Sequence, residues 1–225
     1  MRYELDKIEE RVLGCLIEKS ITTPDYYPLT LNALTAACNQ KSNRDPVLEL
    51  DEKIVVRALD SLREKELSRV VSGADIRVPK YYHRFDECED LSPAQVAILC
   101  ELMLRGPQTV GELRGRANRM FEFPDLSAVE TVLGDLTERA AGRAVTQLPR
   151  QPGRKESRYA HLFAGEPAPP DAEPADDQGP GPEPARVAVQ AENERLDRLE
   201  SAFQELRDEV AQIRAQLETF KQQFE

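Results

Sequence analysis

Tryptophan is absent, aromatic residues make up only 6% of the chain, and histidine occurs twice. The four cysteines, Cys15, Cys38, Cys88 and Cys100, form no C-x-x-C pair. With so few histidines, these spacings give no reason to expect a zinc site. Reduced thiols in a cytoplasmic protein are the expectation. No stretch approaches the roughly 18 apolar residues that a membrane span needs. Met1-Arg2-Tyr3-Glu4 opens no apolar signal region. P-loop and dinucleotide fingerprints are missing, and neither His83 nor His161 lies beside a Ser or Cys nucleophile in a recognisable motif. Glu9-Glu10 is expected on a solvated helix face. The sequence therefore predicts no enzyme, no catalytic residues, no metal and no cofactor. An excess of base is lacking too. Thirty Lys and Arg stand against 41 Asp and Glu in 225 residues, for a formal charge of −11. Such a field repels phosphate and excludes a generic nucleic-acid coat, although not a local basic patch.

What is present is a repeat. Asp6 and Glu9 have capping-box spacing, and Ile8, Val12 and Leu16 follow along one helical face. A shift of 86 residues places Ser92 on Asp6, Gln95 on Glu9, Ile98 on Val12 and Leu102 on Leu16, with Pro93 suited to the first helical position. Both helices are expected to run to just before a threonine, Thr23 and Thr109. Gly14 costs helix propensity and predicts a close approach by a neighbour. From Leu29 to Glu66 the pattern is helix, elbow, helix: Leu31, Leu34 and Ala37 at helical spacing, a polar turn, then Val55, Ala58, Leu59 and Leu62. The second of these helices recurs at Val129–Leu136 with a shift of 74, because the first copy carries a longer segment before it.

Each third helix is followed by a predicted hairpin. Arg69–Val71 pairs with Lys80–Phe85 in the first copy, and Ala144–Leu148 with Arg158–Phe163 in the second. The closing strands align at a shift of 78, with Tyr81 on Tyr159, His83 on His161 and Phe85 on Phe163. Three helices and a hairpin, twice over, predict a mainly α fold with small β-hairpins, organised as two tandem winged-helix domains over residues 1–90 and 91–164. Residues 165–185 carry seven prolines, six acids and no base, which predicts an extended linker. In residues 186–225, Leu196, Leu199, Phe203, Leu206, Val210, Ile213, Leu217, Phe220 and Phe224 alternate spacings of three and four, predicting a coiled-coil helix that self-associates. Arg195 and Glu209 would face Glu200 and Arg214 of a parallel partner. Phenylalanine at the core positions leaves dimer and trimer both open.

Charge is uneven along the chain. Residues 1–90 carry −4, residues 91–165 carry +2, the linker −6 and the tail −3. Two clusters account for the basic second unit. Arg114, Arg116 and Arg119 end its second helix, and Arg150, Arg154, Lys155 and Arg158 surround its hairpin tip. Such a tip suits phosphates or a minor groove. Lys41 and Arg44 in the first elbow are secondary candidates. The third helices are poor base readers, because Asp125, Glu130, Asp135 and Glu138 would meet phosphate unfavourably.

The segment Thr22-Thr23-Pro24-Asp25-Tyr26-Tyr27-Pro28-Leu29 and the elbow Cys38-Asn39-Gln40-Lys41-Ser42-Asn43-Arg44-Asp45-Pro46-Val47 resemble the YceH-like family of uncharacterised bacterial proteins. Val71-Ser72-Gly73, Leu104-Arg105-Gly106, Gln108-Thr109, Gly111-Glu112-Leu113-Arg114, Arg158-Tyr159 and His161-Leu162-Phe163 match as well. The resemblance covers residues 1–165. It implies a tandem winged-helix fold in a bacterial cytoplasmic protein and carries over no catalytic residue. Two functions follow as expectations: an oligomeric regulatory protein on double-stranded DNA, or an adaptor that binds protein without touching DNA. Asn39, Gln40, Asn43 and Arg44 are expected to brace the elbow and the junction between units rather than to hold a ligand.

Overall fold

The computed structural model describes residues 3–71, 78–150 and 156–167. The expected coiled coil and almost all of the linker lie outside the described residues. Among those described, no helix is long and apolar enough to cross a membrane.

The fold is mainly helical with small antiparallel hairpins, in the order α1 (Lys7–Thr22), β1 (Leu29–Thr30), α2 (Leu31–Cys38), α3 (Glu52–Glu64), β2 (Ser68–Val71), β3 (Lys80–His83), α4 (Phe85–Glu89), α5 (Pro93–Arg105), α6 (Val110–Ala117), α7 (Leu126–Glu138), β4 (Val145–Gln147) and β5 (Tyr159–His161). Both predicted capping boxes form: Asp6 with Glu9 at α1, and Ser92 with Gln95 at α5. Each reciprocal pair satisfies two backbone donors that the first turn leaves orphaned.

The end of α5 differs from expectation. It stops at Arg105, because Gly106 turns to a φ of 71° and Pro107 follows. Thr109 is the N-cap of α6, and its counterpart is Thr30, the N-cap of α2, not Thr23. The extra length of the first copy is therefore split, part before α2 and part in the elbow. The strands match in the same way. Leu29 pairs with Tyr81 in a three-stranded sheet of order β1-β3-β2, and Gln108 bridges Tyr159 beside the β4-β5 hairpin. Phe85 and Phe163 lie just past their closing strands, not within them.

One core runs through both segments. Val55, Leu59 and Leu62 of α3 and Val129, Leu133 and Leu136 of α7 are buried at the predicted spacings. Each such side chain contributes about 1.5–3 kcal/mol. Helices α1 and α5 pack against each other. Cys100 Sγ lies 3.3 Å from the Gly14 carbonyl, and a Cβ on Gly14 would meet Leu104 Cδ2 at 2.9 Å. The predicted close approach at Gly14 is this contact.

Glu9 overturns the expectation of a solvated acidic pair. It is only 2% exposed, accepting from Lys65 Nζ at 2.5 and 2.6 Å while it caps the Asp6 amide at 2.8 Å. The capping box draws its carboxylate back over the helix end, where α3's C-cap lysine covers it.

Candidate functional site

The elbow, residues 39–51, is held by its own polar side chains. Asn39 donates to the Leu50 carbonyl and accepts from the Leu50 amide, both at 2.8 Å, closing the loop as a strand pair would. Asn43 takes a φ of 53°, a left-handed conformation that asparagine tolerates well. That turn directs the next residue inward. Arg44 is 4% exposed and grips Glu18 of α1 with both terminal nitrogens, at 3.0 and 2.6 Å. Its remaining donors go to the carbonyls of Ala37 and Asn43 and to Gln40. No donor remains for a phosphate.

The network continues into the second segment. Asn43 Nδ2 donates to Glu101 of α5 at 3.1 Å. Arg119, just past α6, bridges Glu18 and Glu101, the latter at 3.1 Å. Burial pushes Glu18 upward, but the hydrogen bonds and charge of Arg44, then Arg119, outweigh it and hold the carboxyl at about 2. Burial raises Glu101, and Arg119 and Asn43 only partly offset this. One Glu101 oxygen is buried with no partner.

Beside this network a cleft of about 550 Å³ opens between α1, the elbow, the α5–α6 turn and the start of β5. Arg11 of α1 forms part of its wall. It is 3% exposed and donates to the carbonyls of Cys38 at 3.1 Å and Pro46 at 2.6 Å. Arg105, Arg116 and Arg158 line it as well. Arg116 donates to Gln108 Oε1 at 2.7 Å and pairs with Glu112 at 3.4 Å. Gln108 is itself buried, with its amide on the Glu101 carbonyl at 3.0 Å. Arg11, Arg105 and Arg158 each bury an Nε that has no partner. Burial lowers Arg105 below the usual guanidinium range, and the neighbouring Arg116 charge lowers it further.

The predicted phosphate contacts thus fall into separate places. Arg44 and Arg119 belong to the internal network, and Arg116 and Arg158 line the cleft. Arg114 braces the loop before α7 through the carbonyls of Phe123 and Pro124. Lys41 and Arg150 are exposed. Arg154 and Lys155 lie outside the described residues, as do the nine expected coiled-coil positions. Glu18, Glu101, Arg11 and Arg105 are not among the sequence-predicted site residues. The signal for Glu101 is a lone carboxylate inside Ile98-Leu99-Cys100-Glu101-Leu102-Met103-Leu104, where a buried charge requires partners.

Residues 5–154 match the family model described as a protein of unknown function, DUF480. The chain belongs to this family. The span includes the elbow, both carboxylates of the network and most of the cleft. Among bacterial relatives, the chain is 59% identical to a UPF0502 protein of Geotalea uraniireducens over 225 residues, covering all of both chains. It is 57% identical over 226 residues to UPF0502 protein GSU0233 of Geobacter sulfurreducens, again over the full length of both. A UPF0502 protein of Pectobacterium carotovorum is 47% identical over 219 residues, covering 96% of this chain and all of its own. The resemblance drawn from the elbow motif is consistent with this membership.

Proposed function

We propose that this DUF480 chain is a tandem winged-helix regulatory adaptor that contacts protein through its third helices and self-associates through residues 186–225. The winged-helix reading is supported by the recurrence of helix, helix, helix and hairpin with matched caps, and by matched bridges from Leu29 and Gln108 to the closing strands. One observation carries the adaptor reading. The exposed side of α7 presents Leu126, Ser127, Glu130, Thr131, Gly134, Asp135 and Glu138, three carboxylates without a base. In a major groove those carboxylates would be repelled by phosphate. Against a basic protein surface they are favourable, and they raise the rate of encounter. The reading is tested by capture of partners from the parent bacterium with the wild-type chain and with Glu130→Lys/Asp135→Lys. Loss of a partner on charge reversal supports it. Equal capture by both chains removes α7 as the contact face.

A second reading, binding to duplex DNA, rests on the exposed Arg150 and on Arg154 and Lys155, which follow it in sequence. It predicts affinity for long duplex DNA that falls steeply with salt, with a slope flattened by Arg154→Ala/Lys155→Ala. Absence of binding at low salt eliminates it.

A further inference from the structure

We infer that the cleft between α1, the elbow and the α5–α6 turn binds a small phosphate monoester, with the phosphate held by Arg105 and Arg158. The inference goes beyond the adaptor reading and does not depend on it.

The cleft's volume of about 550 Å³ falls within the range of small-molecule sites. Its walls carry five bases against three acids, an excess of +2. Among the described residues, Arg11, Arg105 and Arg158 have no carboxylate within ion-pair distance, whereas Arg116 has Glu112. Arg11 is the most constrained of these. It is 97% buried by the 3% exposure above, its terminal nitrogens are fixed on two elbow carbonyls, and its Nε has no partner. A buried guanidinium without a counter-charge is costly, and the half-buried Arg105 and Arg158 add two more uncompensated charges to the same cleft. An anion in the cleft removes that cost.

The excess of +2 matches the charge of a phosphate monoester better than that of a monocarboxylate. Planar guanidinium forks suit its oxygens. Ile8, Leu48, Met103 and Pro107 supply an apolar wall for the body of the ester. Elbow, α1 and α5–α6 all border the cleft, so an occupant touches both repeated segments at once.

The test is calorimetric titration of the full chain with phenyl phosphate, with benzoate and sodium chloride at matched ionic strength as comparators. Phenyl phosphate is expected to bind, and Arg105→Gln and Arg158→Gln are each expected to weaken it by about tenfold to a hundredfold. Arg150→Gln, on the exposed surface, should bind as the wild type does. If a glutamine variant loses its cooperative melt, amide shifts in the wild-type chain at residues 10–11, 104–106 and 158 on adding phenyl phosphate identify the site directly. Phenyl phosphate indistinguishable from sodium chloride overturns the proposal, as does unchanged affinity in both folded glutamine variants. Benzoate binding as tightly as phenyl phosphate overturns the assignment to a phosphate.

Discussion

The ring of Phe85 stands edge-on to the ring of Phe163, with centroids 5.1 Å apart and planes at 71°. The two residues occupy equivalent places, each just beyond a closing strand and each fully buried. In a two-fold interface, residues near the axis meet their own copies. Two further pairs separated by the repeat shift of 86 residues do the same. Tyr3 Oη donates to Glu89 at 2.7 Å, and Cys100 Sγ approaches the Gly14 carbonyl at 3.3 Å. The repeated segments pack within one chain as the halves of a dimer pack.

Phe85→Ala and Phe163→Ala are each expected to cost about 3–5 kcal/mol, from lost burial and the cavity left behind. Because the rings touch, the double variant should cost less than the two together. Chemical denaturation of the four chains measures this. Strict additivity would mean that the contact is incidental.

Arg44→Ala should be severely destabilising, by about 3–5 kcal/mol, because it leaves the buried Glu18 with only the partly exposed Arg119 and Lys19 as cationic partners. Glu18→Gln should be milder, since the amide still accepts from Arg44. Combining Arg44→Met with Glu18→Leu should recover part of the loss by removing both charges. Urea midpoints of the three variants separate these cases.

Stability should fall in acid through Glu18. Its folded carboxyl titrates at about 2, below the value near 4.5 in the unfolded chain. The stabilisation, roughly 3 kcal/mol, is therefore complete above about pH 4.5 and is lost as the pH falls toward 2. Glu101 has the opposite sign. Its raised folded value adds stability on protonation and offsets part of the loss. Melting temperatures between pH 6 and 2.5 should fall more steeply in the wild type than in Glu18→Gln.

Gly14→Val should cost about 1–3 kcal/mol, because the new side chain enters the space of Leu104 and Met103. Leu104→Ala in the same chain should recover part of that loss, although Leu104→Ala alone destabilises. A thermal-melt cycle reads the coupling, and no rescue would place the strain elsewhere.

Local signals in the sequence were enough for much of the fold. The capping boxes at Asp6 and Ser92, the stripes of α3 and α7, the hairpins and the tight spot at Gly14 all depend on residues a few positions apart, or on steric facts that glycine makes visible. The bracing role of Asn39, Asn43 and Arg44 was legible from their surplus of donors. Their partners were not. Glu18 and Glu101 lie on helices far away in sequence, and only the packing of α1 on α5 brings them together. The same packing divides the cluster of Arg114, Arg116 and Arg119. Spacing along the chain places Arg119 beside Arg116, yet Arg119 pairs with Glu18 and Glu101 while Arg116 lines the cleft. Sequence alone does not match Thr109 to Thr30, because a helix can end at several residues and Gly106 decides the matter only through its positive φ.

Two identical subunits must tolerate themselves at their axis, since whatever one offers the other offers too. A single chain is released from that rule. Along the shift that pairs Gly14 with Cys100, Glu18 corresponds to Leu104 and Glu101 to Cys15. Two copies of Glu18 facing the junction would demand two copies of Arg44, and the second segment has no elbow to carry one. Within one chain each segment can carry its own carboxylate where the other has an uncharged side chain. The junction at Gly14 is then a lock with a single orientation, which two separate copies could not have built.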